Sequence, residues 1–258
     1  MKTSFCSIAY RNLAGAGIPG MIGDLKAAGY DGLELWWPHV ESKSDAELRE
    51  IKSALAEAKL AVPMLSPYLG NFNLPMTNHD EMIARTRASA PVAEKLGAPL
   101  LRAFAGWTCE CSSLTASEEY WQYNLKGFRE MATIAANHGR TLAIETHSMT
   151  LADSVVGMKR LIDEADGRLR VNFQLDTLAE NSKLPSGVAV YEALKPWIVH
   201  MHAHVLPTDA KEHGEQQQLL TALKRDGFAG YISIEHCSGK GDPKEVAVSG
   251  IAMMRSFK

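Results

Sequence analysis

The chain has 258 residues, of which 46% are hydrophobic, so a single domain over residues 1–258 with a full buried core is expected. Lys and Arg total 27 against 30 Asp and Glu, and the net charge of −3 gives no general attraction for nucleic acid. The sequence has no signal-peptide pattern, no run near the roughly 18 apolar residues of a membrane span and no C-x-x-C pair, which favours a cytoplasmic protein without a membrane partner.

The first half of the chain alternates strand and helix patterns, as judged from hydrophobic periodicity and helix-end signals. The predicted strands are 4–10, 31–37, 61–66 and 99–105. The helices that follow them end at Gly29, run from Ser44 to Lys59, run from Asn78 to Leu96, and run from Thr115 to His138. Capping boxes predict the helix starts at Ser44 and Thr115, and the pattern Asn78-x-x-Glu81 predicts the helix start at Asn78. A long loop is expected from Pro67 to Asn78.

The second half continues the alternation and brings the count to eight strands and eight helices. Its predicted strands are 141–145, 169–176, 198–204 and 231–235, and its helices are 154–164, 188–194, 215–225 and a last one from Pro243. This order predicts a (β/α)₈ TIM barrel, whose sites lie at the C-terminal ends of the strands. An open doubly wound sheet is the alternative, but the glycine-rich stretch from Gly15 to Gly20 contains a proline and lacks the acidic partner of a dinucleotide site.

Three histidines, His200, His202 and His204, fall at every second position of the predicted seventh strand. Successive side chains of a strand point to opposite faces, so these imidazoles share one face. The fifth, sixth and eighth predicted strands each end on a carboxylate, and the alternation of side chains places these carboxylates on the same face as the histidines. The residues that we therefore expect to converge at one end of the barrel are Glu145, Asp176, His202 and Glu235.

Three carboxylates and one imidazole form an oxygen-rich set that favours Mn²⁺, Mg²⁺ or Co²⁺ and also admits Zn²⁺. Each residue alone would be an ordinary loop or structural residue, and their shared parity at one barrel end is what indicates a metal site. Such an ion would polarise substrate oxygens, while Glu145 and Glu235 move a proton on either side of a metal-bound enediolate. His200 is interpreted as an interior polar residue and His204 as a substrate contact.

Four further residues are candidates for substrate binding. Glu34 and Arg102 lie at positions of their strands whose side chains are expected to point into the barrel. Trp36 lies at a strand end, and His147 follows the fifth strand. Two interpretations of Glu34 and Arg102 stay open, namely a buried ion pair between them and a wall of the substrate site.

Six short motifs stand out along the chain: Gly32-Leu-Glu-Leu-Trp36, Leu142-Ala-Ile-Glu-Thr146, Gln174-Leu-Asp-Thr177, His200-Met-His202, Gly214-Glu215 and Gly230-Tyr-Ile-Ser-Ile-Glu-His236. Together with the alternating units they resemble the xylose isomerase-like barrel superfamily of sugar isomerases and epimerases. The closest likeness is to hydroxypyruvate isomerase-like and ketose 3-epimerase-like members, and it covers nearly the whole chain. The resemblance implies a Mn²⁺ or Mg²⁺ site formed by the four converging residues, with Glu145 and Glu235 as the acid/base pair.

Two positions depart from that family pattern: Ala179 stands where many relatives have His, and Thr208 where the epimerases have Arg. The missing His and the negative net charge also argue against the trinuclear zinc nucleases of the family. The leading expectation is an isomerase or epimerase of a small sugar, keto-acid or polyol derivative. The alternatives are a metal-dependent dehydratase or decarboxylase, and a non-catalytic barrel that serves as a binding subunit. The expected partner is a small carbohydrate-like molecule, and homo-oligomerisation is left open.

Overall fold

Eight parallel strands close into a barrel in chain order, which confirms the predicted (β/α)₈ fold. The computed structural model describes residues 1–12, 17–106, 112–174, 178–204, 210–237 and 241–256. Among the helices described there, none is long and apolar enough to cross a membrane. The strands are β1 (Lys2–Cys6), β2 (Gly32–Trp36), β3 (Met64–Leu69), β4 (Leu100–Ala103), β5 (Thr141–Glu145), β6 (Arg170–Gln174), β7 (Ile198–Ala203) and β8 (Tyr231–Ile234).

Helices follow the strands around the outside of the barrel. One short helix, α6, was not predicted, and 3₁₀ turns follow β1 and β2 and precede β7. The described helices are α1 (Ile18–Ala28), α2 (Asp45–Ala58), α3 (His79–Leu96), α4 (Glu118–Asn137), α5 (Val155–Glu164), α6 (Leu178–Asn181), α7 (Gly187–Leu194), α8 (Ala210–Arg225) and α9 (Pro243–Arg255).

The capping box predicted for α2 is formed. The Ser44 hydroxyl accepts a hydrogen bond from the Glu47 backbone N–H at 3.3 Å, and the Glu47 carboxylate accepts one from the Ser44 backbone N–H at 2.8 Å. These two bonds satisfy backbone donors that have no partner within the helix. At the end of α1, Gly29 adopts the left-handed conformation with φ +90°, as its glycine identity predicted.

The capping box predicted at Thr115 is wrong, because α4 begins two residues later than its pattern suggested. Ser117 is the N-cap, and its hydroxyl accepts from the Tyr120 backbone N–H at 3.2 Å. The Thr115 backbone N–H instead closes a turn onto the Ser112 carbonyl at 3.2 Å. That turn places Thr115 outside the helix.

The helix start predicted at Asn78 is confirmed, because α3 begins at the following residue. The Asn78 side chain makes no cap bond to the helix. Its amide donates to the Asn71 carbonyl at 2.8 Å, and its oxygen accepts from the Asn73 backbone N–H at 3.0 Å. The Asn78 side chain therefore bonds to the preceding loop instead of capping the helix.

The largest differences from the predicted strands are in β1 and β3. β1 ends at Cys6, where a 3₁₀ turn over Ser7–Tyr10 begins, and β3 lies about three residues later than expected. Pro67 was assigned to the loop but lies within β3, where pairing with β4 shifts register between Leu65 and Leu69. A proline is accommodated in a sheet at such an irregularity because it cannot donate to the ladder.

The strands bury both faces. In β7, Met201 and Ala203 belong to the hydrophobic cluster, while His200 and His202 are also buried and bond to Glu34 of β2. Because β2 and β7 are not neighbours in the barrel, these bonds cross its interior. The alternation of residue types along β7 thus separates an apolar outer face from a polar interior, as its sequence predicted.

Candidate active site

Two carboxylates meet at the C-terminal end of the barrel and are both bonded by one arginine side chain. Glu145 ends β5, Glu235 directly follows β8, and Arg102 of β4 reaches both of them. Its guanidinium donates to Glu145 Oε1 at 2.6 Å and to Glu235 Oε1 at 2.8 Å, and its Nε also faces Glu145. All three side chains are at most 3% exposed, so the pairs are shielded from water and salt.

The imidazole of His202 lies between this pair and a third carboxylate. Its Nδ1 is 3.3 Å from Glu145 Oε2 and 3.3 Å from Glu235 Oε2. Its Nε2 is 3.0 and 3.2 Å from the two oxygens of Glu34. The ring therefore connects the strand-end carboxylates to a deeper polar layer.

These charges shift the pKa values of the groups they surround. Burial alone would lower the pKa of His202, but the carboxylates of Glu34, Glu235 and Glu145 raise it well above its usual value. Burial would raise the pKa of Glu235, but Arg102 and His202 hold it well below the usual range. Both carboxyl group and imidazole are therefore held in their charged forms when no metal competes.

The deeper layer is centred on Glu34, which is fully buried. Ser66 of β3 donates to its Oε1 at 2.6 Å, and His200 Nε2 lies 3.1 Å from its Oε2. His200 Nε2 is also 3.0 Å from the Ser233 hydroxyl of β8. The ion pair between Glu34 and Arg102 that was one interpretation of the sequence does not form, since each residue has the partners described here instead.

Two groups of donors in the described residues have the spacing of a metal site, and both include His202. Glu145, His202 and Glu235 form the first, and Glu34, His200 and His202 form the second; within each group the donor atoms lie within 4.8 Å of one another. Carboxylate oxygen and imidazole nitrogen are ligands suited to Mn²⁺, Mg²⁺ or Zn²⁺. The first group fits a mononuclear ion better, because it lies at the strand ends where substrate can enter.

Other predicted site residues lie around this centre or beyond what is described. His204 follows β7, is 37% exposed, and places its Nε2 4.0 Å from Glu235 Oε2. His147 packs edge-on against Phe104 with ring centroids 5.8 Å apart, and Trp36 contacts the His39 ring at 5.3 Å. Asp176, Thr208 and the side chain of Ala179 lie outside the described residues.

Three contributors to the site were missed by sequence reasoning. Asn172 of β6 donates to Glu145 Oε2 at 2.9 Å, and Ser66 donates to Glu34. Tyr68 stacks on Phe104, and the Arg102 guanidinium lies 5.5 and 4.9 Å from these two ring centroids. The signal for Asn172 and Ser66 was a polar residue within a buried strand, whereas Tyr68 had none, because its strand was placed too early.

The chain was compared with known protein families and curated proteins. A family model described as xylose isomerase-like TIM barrel matches residues 22–257. The chain is 26% identical over 207 residues to a 3-dehydroshikimate dehydratase from Bacillus anthracis, a match that covers 78% of this chain and 71% of that protein. It is 25% identical over 252 residues to a putative hydroxypyruvate isomerase from Streptomyces coelicolor, covering 86% of each.

The fold is also similar to that of solved structures. The crystal structure of 3-keto-D-glucoside 4-epimerase from E. coli superposes with a TM-score of 0.78 and 16% sequence identity, covering 99% of each chain. At that identity the likeness concerns the fold alone.

Proposed function

The chain belongs to the xylose isomerase-like TIM barrel family, and from that premise we propose that it is a divalent-metal-dependent isomerase or epimerase. The proposed substrate is a small sugar, keto-acid or polyol derivative. The observation that carries the proposal is the convergence of Glu145, His202 and Glu235, in which His202 Nδ1 lies 3.3 Å from an oxygen of each carboxylate. Glu145 ends β5, His202 is the next-to-last residue of β7, and Glu235 follows β8, at the face where barrel enzymes bind substrate.

The residues proposed to hold the ion are Glu145, Asp176, His202 and Glu235. Mn²⁺ or Mg²⁺ bound there would act as a Lewis acid on carbonyl and hydroxyl oxygens of the substrate. The relatives with curated names include a dehydratase and a putative isomerase, and reactions of both kinds can begin with removal of a proton next to a carbonyl group.

In the proposed reaction Glu145 or Glu235 removes the proton from the carbon next to the substrate carbonyl, and the same or the other carboxylate returns a proton. Arg102 holds one oxygen of each carboxylate in a fixed direction. Glu235 Oε2 faces His202 Nδ1 and, at 4.0 Å, the half-exposed His204. This arrangement supports Glu235 as the carboxylate nearer to entering substrate, with His204 as a substrate contact.

The test is turnover by Mn²⁺-loaded protein in deuterium oxide, with hydroxypyruvate and a 3-keto-D-glucoside as probes. Deuterium at the carbon next to the carbonyl is expected in product or recovered substrate. Glu145→Gln and Glu235→Gln should each lower the rate by about 10²-fold or more, the usual contribution of a positioned acid or base. If both variants, with metal bound, kept the wild-type rate on a turned-over substrate, the acid/base assignment would be wrong.

Dehydration is the second candidate function, and the curated relative named 3-dehydroshikimate dehydratase favours it. One of the same carboxylates would remove the proton, and the hydroxyl group on the next carbon would then take up that proton and leave as water. With 3-dehydroshikimate as probe, loss of one water per turnover and a new ultraviolet absorbance would identify this reaction. An isomer of unchanged mass would identify the leading one.

A further inference from the structure

The two nitrogens of His202 face different carboxylates. Nε2 lies 3.0 and 3.2 Å from the oxygens of Glu34, and Nδ1 lies 3.3 Å from Glu145 Oε2 and from Glu235 Oε2. A neutral imidazole carries its proton on one nitrogen, and only the other can bind a metal. The nitrogen that donates its proton to Glu34 cannot bind a metal. The position of Glu34 therefore decides which nitrogen of His202 can bind a metal beside Glu145 and Glu235.

Glu34 is itself held in place by two other donors. The Ser66 hydroxyl donates to Oε1 at 2.6 Å, and His200 Nε2 lies 3.1 Å from Oε2. His200 Nδ1 is buried and has no hydrogen-bond partner among the described residues. A buried N–H without an acceptor costs more than an unused lone pair, so the proton of His200 belongs on Nε2, from which it is donated to Glu34.

The carboxylate of Glu34 thus accepts from Ser66 and His200, and both of its oxygens also lie within hydrogen-bond distance of His202 Nε2. Because Glu34 is fully buried and both of its oxygens are engaged, a substrate contact would require breaking one of these bonds. An acceptor fixed in this way favours a proton on His202 Nε2. Carboxylates in this position commonly fix the tautomer and orientation of metal-binding histidines.

We propose that Glu34 is a positioning residue that fixes His202 with its proton on Nε2 and its Nδ1 directed at the metal site. Ser66 and His200 hold the Glu34 carboxylate in the required orientation. The assignment rests on the proposed metal site, and it replaces the expectation that Glu34 contacts substrate. It also implies that the ion binds with Glu145 and Glu235 rather than between Glu34 and His200.

The test is the affinity for Mn²⁺, measured by calorimetry on purified Glu34→Gln and wild-type protein. Gln presents an N–H₂ group where Glu34 presents an acceptor, so it opposes the Nε2–H tautomer of His202. We expect binding about 10- to 100-fold weaker, as for other changes to the partner of a metal-binding histidine. Glu47→Gln is the matched control, since it makes the same substitution at the start of α2, and it should leave Mn²⁺ affinity unchanged.

A second measurement needs no substitution at Glu34. In Mg²⁺-loaded wild-type protein labelled with ¹⁵N-histidine, the His202 signals, assigned with His202→Gln, should show a proton on Nε2 at low field and none on Nδ1. A proton on Nδ1 with the metal on Nε2 would overturn the proposal, even if Glu34→Gln failed to fold.

The possible failures can be told apart. Wild-type protein that binds neither Mn²⁺ nor Mg²⁺ would overturn the metal site and this inference together. Wild-type protein that binds Mn²⁺, with Glu34→Gln binding it equally well, would overturn the role of Glu34 alone and leave the proposed function intact.

Discussion

Arg102 supplies the positive charge that allows Glu145 and Glu235 to lie side by side inside the barrel. Burial alone would lower the pKa of its guanidinium, but the carboxylates of Glu145 and Glu235 raise this pKa well above its already high value. A buried charge left without its partner is strongly destabilising. The stability of the metal-free site therefore depends on this side chain together with the charged imidazole of His202.

We expect Arg102→Met to lower the free energy of unfolding in the presence of chelator by about 3–5 kcal/mol, the usual cost of breaking a buried pair. With saturating Mn²⁺ the loss should be smaller, because the ion restores positive charge next to the carboxylates. Urea unfolding with and without Mn²⁺ measures both values.

Arg87→Met is the control for this change, since Arg87 is 67% exposed and pairs with Glu130 at 3.4 Å. Exposed pairs contribute about 1 kcal/mol or less. If Arg102→Met cost no more than Arg87→Met, Arg102 would not be neutralising the two carboxylates.

The sequence predicted which face Glu34, Arg102, Glu145 and His202 occupy, but not which of them pair. Strand parity assigns a side chain to the interior. Whether Arg102 meets Glu34 or Glu145 depends on the height of each residue along the barrel and on the tilt of the strands, which no local pattern records. The choice between an ion pair with Glu34 and other partners could be made only from the structure.

The N-terminus of α2 carries a fully formed capping box. Lys43 donates to the Glu47 side chain at 2.9 Å, and Ser44 donates to it through both its backbone N–H and its hydroxyl at 2.8 Å. These bonds lower the pKa of Glu47 to about 2. The ionised carboxylate also interacts favourably with the positive end of the helix dipole.

A lowered pKa means that the folded state holds this proton less tightly than the unfolded state does. The contribution of Glu47 is therefore fully present above the ordinary Glu pKa of about 4.3 and is lost as the pH falls through about 2. We expect Glu47→Gln to be less stable than wild type at neutral pH, with a difference that disappears on acidification over this window. Urea unfolding at a series of pH values measures it.

Ser44→Ala is the companion variant, because it removes one donor to Glu47 and the acceptor of the Glu47 backbone N–H. It should raise the pKa of Glu47, as followed by carboxyl ¹³C NMR titration. A wild-type Glu47 that titrates near its ordinary value would contradict the capping box.

Helix and strand patterns located nearly every element but misplaced some of their ends. Ser44 follows the capping pattern, whereas Thr115 carries the same pattern and lies in a turn, because Ser117 two residues later is an equally good cap. Pro67 was taken as a strand end, yet the register shift between β3 and β4 accommodates it. The first error arose where two neighbouring residues could both cap the helix, and the second where pairing between strands overrode a local pattern.

The closed barrel gathers groups that are far apart in the chain. The contact between Glu34 and His202 joins residues 168 positions apart, and that between Arg102 and Glu235 joins residues 133 apart. The alternation of strands and helices predicted this closure because such folds place strand ends on one face. Closure itself was thus accessible from the sequence, whereas the pairing of the polar residues inside the barrel was not.

A ligand that binds only the closed barrel should stabilise the whole molecule. We expect close to one divalent ion per chain, and Mn²⁺ at about 100 times its Kd should add about 2.7 kcal/mol to the free energy of unfolding. For a domain of this size that corresponds to a Tm increase of roughly 5–10 °C. Differential scanning calorimetry and elemental analysis measure the two quantities.

Substitutions in β7 give the controls for this shift. His202→Ala should abolish the Mn²⁺-dependent increase, as should Asp176→Asn. His200→Ala should mainly lower the Tm of metal-free protein. The His200 side chain lies two residues before His202 along β7, further from the C-terminal end of the barrel, and bonds to Glu34 and Ser233. A Tm that ignores Mn²⁺ in the wild type would rule out the metal site.

The guanidinium of Arg102 between Glu145 and Glu235 has a practical consequence for anyone who purifies this protein. Many metalloproteins lose their fold when stripped of their ion, and the loss is noticed at once. Here a permanent internal cation balances the carboxylates, so a chelated preparation should remain monodisperse and look intact while being catalytically silent. Screens for substrate should therefore begin with reconstituted protein, since a well-behaved sample says nothing about whether its ion is present.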